Sequence, residues 1–233
     1  DDYSFKDLMQ MVSDVEGVER IRFTSPHPKD FPRDLLTLMA ERPNICKQVH
    51  MPLQAGNDRV LAKMNRTYTK QEFLDLVKEI REIMPDVHLS TDIIIGFPTE
   101  TREEFEDTVD VVKKVKFDSA FIFKYSERPN TRAAQKFEDD VTEEEKKERI
   151  IYLNQVQDEI ALAKHNSHIG TTQRVLVEED KTKRSDDEVV TRNDGNTVVI
   201  VPKGDYKVGD FLDVTISEAT RNILKAKEIV KKI

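Results

Sequence analysis

The sequence predicts an α/β protein: a parallel sheet, open or closed as a barrel, followed by a small all-β barrel of OB-like type. Three observations carry this. As far as residue 169, strand-like runs alternate with helix-period runs at roughly thirty-residue spacing, the repeat of a strand–helix unit. Beyond Gly170 the helical period stops and short β-rich runs separated by turn residues take over. At the centre lies His88–Thr101, HLSTDIIIGFPTET, in which a β-branched run halts at Gly96-Phe97-Pro98 and a helix opens at once. In a parallel α/β protein such a loop sits at the carboxyl end of a strand, where ligands bind.

The elements follow in order. Ser4 caps a helix with Phe5, Leu8, Val12 and Val15 at helical spacing, ended by Gly17. Val18–Ser25 reads as a strand stopped by Pro26-His27-Pro28, then a helix runs from Asp34 to Arg42. Ile45–Leu53 is the second strand. A short helix, Asp58–Met64, precedes one capped by Thr69 and Glu72, with Phe73, Leu76, Ile80 and Ile83 inward. After the central strand, Thr101 and Glu104 cap a helix to Lys116, and Asp118–Tyr125 is the fourth strand. Ser126–Asp140 reads as irregular. Thr142 and Glu145 cap a long helix, 142–168, carrying Ile150, Leu153, Val156, Ile160 and Ala163, and its Glu143–Glu148 charge run reads as a solvated face. Arg174–Glu178, Val189–Arg192, Thr197–Val201, Phe211–Ile216 and Ile223–Ile229 are the strands of the β-barrel. The boundary is expected near Gly170, giving domains 1–169 and 170–233.

Composition narrows the function classes. Charged residues make up 35% and hydrophobic ones 37%, with a net charge of −8, and no apolar run approaches a membrane span, so a cytoplasmic protein without a membrane partner is expected. Acidity argues against nucleic-acid binding driven by overall charge. A single cysteine, Cys46, excludes a disulfide framework or a cluster built from this chain alone, and no metal site is expected. The chain begins at Asp1 without an initiator Met, which fits a piece of a longer protein.

Buried parallel strands usually read as continuous apolar runs, and three of these do not. Arg22 and Thr24, then His50 and Gln54, then Ser90 and Asp92 fall on the parity opposite the apolar residues of their strands. Two accounts fit: the polar residues satisfy one another as buried networks, or they line a lumen that holds a ligand. In the β-barrel, twelve basic residues from Arg174 onward meet twelve acidic ones, yet Arg221, Lys225 and Lys227 cluster as a phosphate-contacting stripe. A structural cap or a dimer contact fits that charge balance equally.

Several stretches resemble a known family. RIRFTSPHP (20–28), VHMPLQAGNDRVLAKMNRTYT (49–69), STDIIIGFPTET (90–101), YSERPNT (125–131) and GTTQRVLVE (170–178) look like the radical S-adenosylmethionine (SAM) methylthiotransferases, closest to their tRNA branch. The resemblance implies a partial radical SAM (β/α) barrel followed by an RNA-binding TRAM domain. It implies SAM and, in the full-length protein, two 4Fe–4S clusters, none of whose ligands lie in this chain. It also implies tRNA and a reducing electron-donor protein as partners. The implied reaction adds a methylthio group to carbon two of N6-isopentenyladenosine next to the anticodon, with this chain alone inactive.

The family's GxIxGxxE pattern, which packs against the adenine of SAM, corresponds to Asp92-x-Ile94-x-Gly96, with Thr99 where Glu would fall and Glu100 one place late. By the same resemblance Gln54, Arg66, Ser90, Asp92, Ile94 and Gly96 are the candidate SAM contacts, Arg66 for the carboxylate. Arg22, Thr24 and His50 would face the modified base, and Arg221, Lys225 and Lys227 the RNA. Two other readings stand beside this one: the sister activity on threonylcarbamoyl-adenosine or on a ribosomal protein, and a non-catalytic RNA-binding module.

Overall fold

A computed structural model describes residues 3–24 and 27–232. It divides into two compact units, residues 1–157 and 158–233. Among the described residues no helix is long and apolar enough to cross a membrane.

In the first unit, α1 (Phe5–Ser13) is opened by a capping box in which Ser4 and Asp7 satisfy each other's backbone N–H groups. It buries Met9 and Ser13, whereas Leu8, Met11 and Val15 are exposed, so the apolar spacing read from sequence does not mark its inner face. A 3-10 turn at Pro28–Asp30 leads to α2 (Arg33–Glu41), which buries Leu35, Leu36, Leu38 and Met39. The strand expected over Val18–Ser25 reduces to one bridge, Ile21 with Ile45. At its start the Asn44 side-chain amide takes the Val18 carbonyl at 2.9 Å, an acceptor a ladder would have used, while also donating to the Ser13 carbonyl at the end of α1 at 3.0 Å. Ser25 and Pro26 lie outside the described residues.

The sheet is therefore three-stranded and parallel, in the order β1 (Gln48–His50), β2 (His88–Ile95), β3 (Ser119–Lys124), rather than the four strands expected. The second strand is shorter than predicted because Pro52 has no N–H for the ladder. The fully buried Thr91 fills the gap, its hydroxyl donating to the Met51 carbonyl at 2.8 Å and accepting from Leu53 N–H at 3.0 Å.

Between strands run α3 (Asp58–Lys63), capped by Asn57, α4 (Lys70–Ile83) and α5 (Arg102–Val115). The latter two carry the expected capping boxes, Thr69 with Glu72 and Thr101 with Glu104. Phe73, Leu76, Val77 and Ile80 of α4 and Phe105, Val109, Val112 and Val115 of α5 are buried, each side chain stabilising by about 1.5–3 kcal/mol. Gly56 lets α5 approach: a Cβ there would lie 2.5 Å from Thr108 Cα, and its N–H donates to the Thr108 hydroxyl at 2.8 Å.

The stretch expected to be irregular after β3 contains α6 (Arg132–Lys136), capped by Thr131. Then α7 (Glu143–Ser167) buries Lys146, Arg149, Leu153 and Val156 in this unit. The Glu143–Glu148 run is thus no uniformly solvated face. Lys146 and Arg149 lie seven and four residues before Leu153, on the stripe that it continues. Ile150, expected inward, is only half-buried, and Ala163 is exposed.

In the second unit β4 (Thr172–Glu179), β5 (Glu188–Asn193), β6 (Val198–Pro202), β7 (Phe211–Ala219) and β8 (Ile223–Lys232) close into a barrel in the order β4-β5-β6-β8-β7. All neighbours are antiparallel except β6 with β8. Alternation, broken in β6 where Ile200 is buried as well, builds its core of Val175, Val177, Val189, Val199, Val201, Leu212, Val214, Ile216, Leu224 and Ala226.

Candidate functional site

The site is built on one face of the parallel sheet and on the loops at its carboxyl end. Register puts His50 beside Ser90, and Asp92 beside Phe121, so these side chains share a face. His50 bridges the other two polar residues: Nδ1 lies 3.0 Å from Ser90 Oγ and Nε2 3.2 Å from Asp92 Oδ2. Ser90 is buried, while Asp92 keeps a third of its side chain exposed and has a second carboxylate oxygen to offer. Both accounts of the polar parity thus have a share: a mutual network exists, and it borders open space.

Two aromatics that sequence reasoning missed complete this face. Phe121 and Phe123 of β3 are 56% and 54% exposed, and the Phe121 ring meets His50 edge-on, with centroids 6.2 Å apart. Their alternation with Ala120 and Ile122 is visible in the sequence, but only the register with Asp92 and Ile94 shows which face they share.

Gln54 departs from the predicted alternation. Pairing partners differ by forty positions at His50–Ser90 but by thirty-nine at Gln54–Ile93, a one-residue slip across Pro52 that sets Gln54 opposite the apolar parity. Its backbone is left-handed, φ 66°, and it is buried at the carboxyl end of β1. Beside it, buried Tyr68 donates to the Pro52 and Leu53 carbonyls at 2.9 and 3.0 Å, and burial pushes its phenol up to about 12. Arg66, two residues earlier, has a buried Nε with no hydrogen-bond partner.

The loop after β2 is held from below. Gly96 has φ 67° and Thr99 φ 72°. Glu100, 4% exposed, accepts from Gly96 N–H at 2.6 Å and from Arg149 Nη1 at 2.6 Å through the same oxygen. Burial raises the Glu100 pKa, opposed by the Gly96 N–H and the Arg149 guanidinium. Thr99 N–H donates to Asp140 at 2.6 Å, and Lys63 and Arg59 donate to the Thr99 hydroxyl. Phe97 is buried edge-on to Tyr125 at 5.2 Å.

Other predicted residues lie apart from this cluster. Arg22 donates to the sulfur of buried Cys46 at 3.3 Å, and Thr24 is exposed. In the second unit each cation of the expected stripe has an acidic neighbour: Arg221 pairs with Asp158, Lys225 with Glu188 at 3.2 Å, and Lys227 with Glu218 at 2.8 Å. Such surface pairs hold their partners weakly. Among the described residues no group of three or more His, Cys, Asp or Glu could hold a metal ion.

Residues 1–112 match the radical SAM superfamily and residues 166–229 the TRAM domain. A protein named tRNA-2-methylthio-N(6)-dimethylallyladenosine synthase from Corynebacterium glutamicum is 43% identical over 226 residues, covering 93% of this chain and 42% of that one. One of the same name from Bacteroides fragilis is 40% identical over 226 residues, covering 97% and 49%. This chain therefore spans less than half the length of these relatives. Among solved structures, coproporphyrinogen III oxidase (HemN) from Escherichia coli, described as a radical SAM enzyme, is similar at TM-score 0.48 and 20% identity, over 82% of this chain and 45% of that one. The chain thus carries radical SAM superfamily sequence at residues 1–112 and TRAM domain sequence at residues 166–229, and is similar along nearly its whole length to part of the synthases named above.

Proposed function

We propose that this chain forms the SAM-binding and substrate-facing part of a cytoplasmic tRNA methylthiotransferase that adds a methylthio group to carbon two of N6-isopentenyladenosine beside the anticodon. The observation that carries this is 40–43% identity, along nearly the whole chain, to relatives named for that product. The geometry fits SAM in kind. The unpartnered Nε of Arg66 suits a carboxylate, Asp92 has a free oxygen for an amine or ribose hydroxyl, and the Gly96 turn offers backbone beside Ile94. Ser90 completes the proposed SAM shell on the sheet face, and Gln54, turned off that face by the slip, would reach it only from the carboxyl end of β1. His50, with Arg22 and Thr24, would face the base, and Arg221, Lys225 and Lys227 the tRNA backbone.

The residues present do not fit a 4Fe–4S cluster: the sole cysteine, Cys46, is buried against Arg22. The clusters belong, in this proposal, to the rest of a longer protein, and their electron donor is a separate partner protein. Cofactors carry the hard chemistry, and this chain binds, orients and excludes water.

Mass spectrometry of tRNA from a strain lacking the gene tests the assignment. Loss of 2-methylthio-isopentenyladenosine with accumulation of isopentenyladenosine is expected. Unchanged levels would refute it, and loss of the methylthio group from threonylcarbamoyl-adenosine instead would transfer the assignment to the sister activity.

A further inference from the structure

Two cations of α7 lie buried beneath the Gly96–Glu100 loop. Lys146 and Arg149 are each 1% exposed at the side chain, on the stripe that Leu153 and Val156 continue. Removing a cation from water costs several kcal/mol, and apolar residues at such positions often give an equal or more stable fold. Packing alone therefore does not account for an arginine at position 149.

The arginine makes contacts that an apolar side chain would not. Its Nη1 donates to the Glu100 carboxylate at 2.6 Å and to the Glu100 carbonyl at 3.2 Å, and its Nη2 donates to Glu145 one helical turn earlier. The carboxylate it grips accepts the N–H of Gly96. Both ends of the five-residue loop are thus closed on the Glu100 carboxylate, which one guanidinium holds. Lys146 works alongside: its Nζ is held by Asp139 at 2.6 and 2.7 Å, and its methylenes occupy the space a Cβ on Gly96 would need, with Cγ 2.5 Å from that position.

We propose that Arg149 is a positioning residue, which by pairing with Glu100 fixes the Gly96–Glu100 loop in the shape that receives the adenosyl portion of SAM. This rests on the SAM reading given above. Arg149 touches neither cofactor nor substrate and acts through Glu100 and the Gly96 amide. A loop set by two linked charged contacts moves as a unit when either is lost.

The test uses the cluster-loaded full-length protein. SAM binding by equilibrium dialysis is read beside hydrogen exchange at the loop and thermal unfolding. R149M is expected to weaken SAM binding about ten-fold or more, as the loss of a coupled contact does, and to speed exchange at residues 96–100. R149K keeps the charge without the planar fork and should fall between. E100Q keeps an acceptor for the Gly96 N–H and loses the ion pair. The R149M/E100Q double variant should bind no worse than R149M, since both act through one contact.

Wild-type affinity and loop exchange in folded R149M would overturn the inference, as would additive losses in the double variant or a drop in unfolding temperature alone. If R149M fails to fold, R149K and E100Q decide by the same readouts. Absence of SAM binding by the wild-type protein would instead overturn the site reading on which the inference rests.

Discussion

Replacing Gly96 by alanine separates backbone strain from crowding, because the chain supplies its own control. Gly17 and Gly96 both have left-handed backbone, φ 85° and 67°. A Cβ on Gly17 meets nothing within 4 Å, whereas on Gly96 it lies 2.5, 3.2 and 3.3 Å from Cγ, Cδ and Cε of Lys146. Lys146 cannot yield cheaply, since its side chain is 1% exposed and its Nζ is held by both oxygens of Asp139. Gly17→Ala should cost only the left-handed penalty, about 1–2 kcal/mol. Gly96→Ala adds overpacking of about 1–3 kcal/mol, for a total of about 2–5 kcal/mol. The entropy that alanine removes from the unfolded chain is common to both and cancels in the comparison. Urea unfolding of both variants measures the difference, and Lys146→Ala in the Gly96→Ala background should recover part of it. Equal destabilisation by the two alanines, or no recovery, would refute the steric account.

Thr91→Val keeps shape and removes the hydroxyl that bridges β1 and β2 across Pro52. Leaving Leu53 N–H without its acceptor should cost about 1–3 kcal/mol in denaturant unfolding. Tyr68, held near 12 against an ordinary value of 10.0, ionises less readily folded than unfolded. Its contribution to stability is whole below the unfolded value and disappears as pH rises from there to the folded one. Tyr68→Phe should therefore abolish a loss of stability between about pH 10 and 12, seen by unfolding at stepped pH and by phenolate absorbance. Lys225→Glu and Lys227→Glu should each weaken tRNA binding and lower the salt slope by about one, measured by filter binding across a salt series. Affinity unchanged in both would place the RNA elsewhere on the barrel.

What the sequence made legible was local. Ser4, Thr69 and Thr101 act within three residues of their partners, so the capping patterns named helix starts without knowledge of the fold. Barrel strands such as β5 and β7 were equally readable, because their buried residues alternate with half-buried ones. Long-range pairing was not. Asn44 taking the Val18 carbonyl accompanies the reduction of one strand to a single bridge, and the slip across Pro52 moved Gln54 out of its expected set. Phe121 and Phe123 joined the site through register alone. Arg149 and Lys146 were hidden by their own charge: in a run of glutamates and lysines, nothing local separates a buried cation from a solvated one. Their phase with Leu153 and Val156 was the available signal.

In the closed barrel β8 is the strand that completes the ring, parallel to β6 and antiparallel to β7. It also contributes Leu224 and Ala226 to the core. During synthesis, β4 to β7 leave the ribosome as an open sheet with two free edges and an unfilled interior. No earlier strand can substitute for β8, since only it reaches both edges. The unit therefore cannot finish folding until about residue 232 has emerged, and a nascent chain paused before β8 would present sticky strand edges rather than a finished domain.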